Sequence, residues 1–353
     1  MYSQDDLNSA VAAGAISAEA ANALRSHVAA QRDAVPADAE HFRLITGFND
    51  IFVSIGAVIM LIAMAAIGDA IWSNNHAPSP ASGVLVAGTA WMLAEFFTAK
   101  RRMALPSIIL LLAFVGGVFV GLLGLAIAVL GEGANNKETL VSLVVAGSGL
   151  VTAGAAWLHW KHFMVPITIA AGTAAIAGTV IALIMAIVGP NSANAKTVAL
   201  TLVFLVGLAV FGLAMRWDMS DTARSTRRSD VAFWLHLLAA PMIAHPIFAL
   251  IGVTEGQNIG VGAAVAVLGV YVVFGLVALA VDRRALLVSA LAYVLVALTF
   301  LFREFGAVEL NFALTALVIG SALLTLSALW TPIRRAVVTT LPGDMRGRLP
   351  ATA

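Results

Sequence analysis

"PSIILLLAFVGGVFVGLLGLAIAVL", residues 106 to 130, holds twenty-five positions without one charged side chain. Coiled as an α-helix at about 1.5 Å per residue, such a run extends about 37 Å and crosses a hydrocarbon core about 30 Å thick. Nine further runs of the same character lie approximately at 51–71, 82–99, 140–158, 165–188, 198–215, 231–252, 259–281, 285–302 and 310–331. Composition agrees: 61% of the 353 residues are hydrophobic and 11% charged, where soluble domains carry about 25%. Mean hydropathy is +0.96. The expected fold is therefore an all-α polytopic transmembrane helix bundle of about ten spans. It occupies 47–333, between an αα-hairpin with linker in 1–46 and a tail in 334–353.

The basic residues set the orientation, because lysine and arginine are retained on the cytoplasmic side of short loops. With ten spans and both termini inside, every lysine and arginine except Lys137, Lys196 and Arg303 falls on the cytoplasmic side. A miscounted span would scramble that separation. The formal net charge of +1 thus conceals a strongly basic inner face. Its expected partner is a bilayer with anionic lipids, and no nucleic-acid module is visible. No signal peptide is expected before the first span, and the total lack of cysteine removes disulfides and thiolate chemistry. Helical rather than alternating hydrophobicity places the protein in an inner (cytoplasmic) membrane, multi-pass.

The first 46 residues are of different composition. Ser3 can cap a first helix, Gly14 ends it, and Ser17 caps a second, giving a helical hairpin. Leu7, Val11, Leu24 and Val28 form its small apolar set, with Ile16 at the turn, too little to be stable alone. The hairpin is expected to dock on the spans, on a protein partner or on a second copy in a homo-oligomer. "DAVPADAEH" reads as linker, and "LPGDMRGRLPATA" as a disordered tail. One internal repeat is visible: "RRMALPS" at 101–107 matches "RRALLVS" at 283–289, an offset of 182, relating spans one to four to spans seven to ten in parallel.

"VAAGAISAEAANALRSH", followed by "HFRLITGFNDIFVSIGAVIML", resembles the opening of a domain-of-unknown-function family of bacterial polytopic inner-membrane proteins. These begin with a short helical hairpin of the type Gly, x, Ile, Ser, x, Glu. The resemblance implies a bacterial inner-membrane location and carries no activity, cofactor or functional residue across.

Ionisable groups within a span cost about 2.5 to 3.5 kcal/mol, so each calls for an explanation. Glu95 is the only acidic residue well inside one. It either snorkels toward Lys100 to Arg102 or joins His159, His162 and His236 in a polar cluster. "WLHWKHF" has His-x-x-His spacing, which makes His159 and His162 weak metal candidates. Trp157, Trp160 and Lys161 beside them read better as an aromatic and basic interface belt, together with Trp217, Trp234 and Trp330. Span seven, "FWLHLLAAPMIAHPIF", adds His236, Pro241, His245 and Pro246. Each proline removes a helix amide, and nine residues turn a helix by 900°, placing the two histidines on opposite faces. One reading is a kinked helix whose histidines serve freed carbonyls; the other is a discontinuous helix lining a substrate cavity. Small residues four apart in 116–124, 146–154 and 170–178 are expected to allow close helix packing.

Neither a phosphate loop, a serine elbow, a His-Glu-x-x-His motif nor paired carboxylates occur, so no enzyme activity and no cofactor are expected. The leading functional expectation is a transporter-like protein for a small molecule or lipid, with its cavity near span seven at His236, Pro241, His245, Pro246 and Glu95. The alternative is a membrane scaffold or sensor recruiting a partner through the N-terminal hairpin.

Overall fold

The computed structural model describes residues 9–33, 48–72, 79–131, 138–222, 224, 226–253, 260–304, 310–347 and 349–350. Among these the regular elements are all helical. The chain divides into an N-terminal unit within 1–41 and a main unit spanning 42–350.

In the N-terminal unit a helical turn at 9–12 ends at Gly14, whose φ of +70° is readily adopted only by glycine. Ser17 Oγ then accepts the Ala20 amide and caps α1 (Ala18–Asp33), as its sequence requires. Ala21 is fully buried, Val11 and Ile16 are half-buried, and Leu24 remains 41% exposed. Ser3, Leu7, the side chain of Val28 and the linker at 34–41 lie outside the described residues.

Ten helices of the main unit are long and apolar enough to cross a membrane. They are α2 (Phe48–Ile71), α3 (Pro80–Ala94, continued by a π-helical segment Glu95–Lys100), α4 (Ala104–Leu130), α5 (Glu138–Phe163), α6 (Ile167–Val188), α7 (Ala195–Met219), α8 (Arg227–Ile251), α9 (Val261–Val281), α10 (Ala285–Glu304) and α11 (Asn311–Ala328). The protein is an all-α polytopic bundle of the multi-pass membrane class. Two short helices follow, α12 (Trp330–Thr340) and α13 (Gly343–Arg346).

Eight of the ten spans pair into four antiparallel hairpins: α3 with α4, α5 with α6, α7 with α8, and α9 with α10. The second helices touch in succession, α4 to α6 to α8 to α10, while α2 packs on α3 and α4, and α11 on α10. Each hairpin turns through one non-glycine residue in the left-handed region: Arg102 (φ 54°), Met164 (55°), Arg224 (52°) and Asp282 (60°). These four are 62, 60 and 58 residues apart and are the only positive-φ residues other than glycine among those described. Such a conformation costs of order 1 to 3 kcal/mol and persists only where packing enforces it. The hairpin turns thus recur at intervals of about sixty residues. The offset of 182 that links "RRMALPS" to "RRALLVS" is about three of them, the first hairpin turn matched to the fourth.

Glycines set the distance within hairpins, as their spacing implied. A Cβ on Gly83 of α3 would overlap the Gly121 backbone of α4, and one on Gly117 would lie 2.8 Å from the Ala87 amide nitrogen. Close backbone approach replaces the hydrophobic driving force that lipid does not supply. The most buried span is α8, whose Val231, Leu235, Ala239, Ala240, Ala244 and Phe248 are fully buried in the largest apolar cluster.

Two expectations change here. The helix α8 runs unbroken from Arg227 to Ile251 with Pro241 and Pro246 inside it, so it is not discontinuous. The tail is ordered where described: α12 packs on α9, and Arg334 Nη2 donates to the Pro350 carbonyl at 2.7 Å.

Candidate functional site

The four hairpin turns gather the arginines at one end of the bundle. In sequence order they carry Arg101 and Arg102, Lys161, Arg224 with Arg227 and Arg228, and Arg283 with Arg284. Two arrangements of opposite character are built there.

At the third and fourth turns the charges neutralise one another. Asp218, in the last turn of α7, accepts from Arg283 Nη2 at 2.6 Å and Nε at 3.3 Å, and from His236 Nε2 of α8 at 2.8 Å. Arg283 Nη2 also donates to the carbonyl and hydroxyl of Ser229, both at 3.1 Å. Asp282 accepts from Arg224 Nη1 at 2.7 Å and from Trp330 Nε1 at 2.7 Å, with Arg334 Nε at 3.5 Å. Arg224 further donates to the carbonyls of Val281 and Asp282. Burial pushes the Arg224 guanidinium below its ordinary value and Arg283 adds to this, while Asp282 opposes. Arg284 lies over the Trp330 ring, 4.5 Å from its centroid. Buried charges are tolerated only when paired and hydrogen-bonded, and this cluster meets both conditions. It ties three helices and the tail together.

Among the described residues, no such neutralisation of arginine occurs at the first and second turns. The π-helical Glu95–Lys100, the left-handed Arg102 and Met164, and the first turns of α4, α6 and α8 surround a groove of about 470 Å³. π-Helical turns and left-handed non-glycine residues both recur at functional sites. The polar side chains lining it are Thr98, Arg102, Ser107, His162, Arg227 and Trp234, and no carboxylate is among them. Arg102 and Arg227 are exposed, with no ion-pair partner among the described residues. Thr98 is only 8% exposed, and its Oγ1 is buried without a hydrogen-bond partner. Neither α4, entered at Met103, nor α6, entered at Pro166, has a side-chain cap on its first amides.

The residues singled out from sequence separate. Glu95 accepts from His162 Nε2 at 2.8 Å with both about half exposed, so it joins one of its three proposed companions and lies beside the groove. His162 stacks on Trp91, ring centroids 5.5 Å apart. His159 points elsewhere. It is 1% exposed, its Nδ1 lies 3.3 Å from Thr168 Oγ1, and Trp91, Phe114 and Phe163 surround its ring. The two rings therefore do not converge on one point, and no group of three metal-ligating side chains occurs among the described residues. Trp157 is 62% exposed with Lys161 Nζ over its ring, the exposure that a belt residue needs. The belt reading fails for Trp330, 2% exposed and bonded to Asp282.

His236 and His245 do lie on opposite faces of α8, as the rotation of an undistorted helix requires. His236 is 3% exposed and belongs to the Asp218 cluster; His245 is exposed and shares a hydrogen bond of 2.7 Å with the Tyr293 hydroxyl of α10. Pro241 is exposed and Pro246 buried. None of these four lines the groove. The residues that sequence reasoning missed are Asp218, Asp282, Thr98, Arg102 and Arg227. The first two were detectable as carboxylates at the end of a span's apolar run, in "RWDMSD" and "AVDRR".

No family model matches the chain, and neither a curated protein nor a solved structure matches it.

Proposed function

We propose that this chain is a transporter-like inner-membrane protein for a small molecule or lipid, which it engages at the cytoplasmic ends of its first two hairpins rather than at mid-depth beside α8. The observation that carries the reading is the open groove among Thr98, Arg102, Met164 and Arg227, polar at its rim and apolar at Ile108, Val165 and Ile167. Ligand sites typically combine a few placed polar groups with an apolar lining, and this groove has that composition.

Filling the groove tests it. Ala99 is exposed and lines the groove, so Ala99→Trp should fold normally while occupying the space. Native mass spectrometry of protein purified from membranes should detect a co-purifying lipid or solute on the parent chain and its loss from Ala99→Trp. Equal retention by both would place the binding elsewhere.

A second reading, a scaffold or sensor that recruits a partner through the N-terminal hairpin, is favoured by the 41% exposure of Leu24. Deletion of residues 1–40 separates the two. It should leave the co-purifying molecule in place under the first reading, and remove a protein partner or a second copy under the other.

A further inference from the structure

The four turns repeat one backbone geometry but differ in charge, and the difference identifies a ligand. Where Arg224 and Arg283 sit at the third and fourth turns, Asp282 and Asp218 answer them from within the chain. Where Arg102 and Arg227 border the groove at the first two, no described residue does, and Glu95 is held on His162. The first turns of α4 and α6 add the amides of Ala104 and Ile167, for which no bond within the described residues occurs, with no side-chain cap on either helix. Each helix N-terminus carries about half a positive charge and favours an anion. Thr98 supplies the independent sign of a ligand. Thr98 is more than nine-tenths buried and lines the groove, and its hydroxyl has no partner among the described residues, although nearly all buried hydroxyls are hydrogen-bonded.

The geometry points to a binding site for a phosphate-bearing ligand in this groove, with Arg102 and Arg227 as charge partners, Thr98 as hydroxyl partner and the Ala104 and Ile167 amides at the α4 and α6 N-termini as donors. Two guanidiniums and two helix ends converging from different elements suit a tetrahedral, multiply charged group better than a single carboxylate. Guanidinium pairs phosphate oxygens bidentately, and helix N-termini cradle phosphates. The same chemistry serves a phospholipid headgroup of the cytoplasmic leaflet and a soluble phosphate compound. The inference rests on the groove being the functional site and adds the class of molecule it takes.

The test uses the full chain in dodecyl maltoside, which contains no phosphate, and reads the rise in melting temperature with added probe. The probes are inorganic phosphate and dioctanoyl phosphatidic acid, with citrate and octanoate as phosphate-free anions. A saturable rise with either phosphate probe, and not with citrate or octanoate, is expected. A response to phosphatidic acid alone assigns the lipid source, and a response to inorganic phosphate as well assigns the phosphate group itself. The double variant Arg102→Gln, Arg227→Gln should raise the half-saturating concentration about tenfold or more, in line with two lost charge-assisted bonds. Thr98→Val should weaken binding and Thr98→Ser restore it, whereas Arg216→Gln, which removes an exposed arginine of α7 outside the groove, should change nothing. Since Arg102 and Arg227 are exposed, the double variant should keep the parent melting temperature without probe. No response, an equal response to the phosphate-free anions, or an unchanged response in the double variant would each overturn the inference. Loss of a co-purifying molecule from Ala99→Trp with no response to either phosphate probe would overturn this inference alone and leave the broader reading standing.

Discussion

Arg283 Nη2 lies 2.6 Å from Asp218 Oδ1, with the side chains 5% and 1% exposed, and the two residues belong to different hairpins. Asp218 closes α7 and Arg283 precedes α10, so the pair holds the third hairpin to the fourth. Removing one partner of a buried pair leaves an uncompensated charge and costs about 3 to 5 kcal/mol. Asp218→Ala should therefore be among the most destabilising single changes in the bundle. The double variant Asp218→Leu, Arg283→Met should recover part of that loss, since apolar replacement of a whole pair is often tolerated. Thermal or denaturant unfolding in detergent measures both. Singles within about 0.5 kcal/mol of the parent, the range of ordinary surface substitutions, would show that the pair does not hold the hairpins.

The glycine seam gives an internal control. Gly83 faces the Gly121 backbone, whereas nothing lies within 4 Å of a Cβ placed on Gly116 or Gly88. Gly83→Ala should cost at least the 1 to 3 kcal/mol of a forced backbone shift, about the usual range for overpacking, and Gly116→Ala should be near neutral or stabilising. The ratio of folded to aggregated protein on size exclusion, together with melting temperature, distinguishes them. Similar behaviour of both variants would contradict the packing of α3 on α4.

The ten spans were legible because hydrophobic length is a local property, written in runs such as 106–130. The opposite faces of His236 and His245 were legible for the same reason, being fixed by helix rotation alone. The Asp218 cluster was not, because its members are separated by up to 65 residues and meet only through hairpin packing. Arg283 was read as a topology marker, one of the charges that a cytoplasmic loop keeps. Whether it faces water or Asp218 depends on the hairpin beside it. The left-handed turn residues were likewise hidden, since Arg102, Met164, Arg224 and Asp282 share no side-chain chemistry, only a backbone position. The prolines of α8 left a kinked and a discontinuous helix both open. The helix runs continuous through both prolines, packed against α7 and α10.

The C-terminal segment should be released by changes at its anchor. Trp330 is buried, bonded to Asp282 and packed under Arg284, and Arg334 reaches both Asp282 and the Pro350 carbonyl. Arg334→Ala removes a buried cation and its bonds to the tail. Limited proteolysis should then cut within 341–350 faster than in the parent chain, with the spans intact. Trp330→Phe, which keeps the ring but loses the indole donor, should have a smaller effect. Equal cleavage of parent and Arg334→Ala would show that α12 does not hold the tail.

His245 separates a structural pair from a transport path. It bonds the Tyr293 hydroxyl across the α8 and α10 packing, on the exposed face of α8, and the Tyr293 ring stacks on the buried Phe248 with centroids 4.3 Å apart. Hydrogen bonds between membrane helices contribute about 0.6 kcal/mol on average and about 1.7 at most. Tyr293→Phe and His245→Leu should each lower stability by about that much. The double variant should lose no more than either single, because one shared bond is removed in each case. His245→Gln keeps a donor and an acceptor and should restore part of the loss. None of these changes should alter what co-purifies with the protein, since His245 lies outside the groove. Loss of the co-purifying lipid or solute in His245→Leu at parent stability would return the site to span seven.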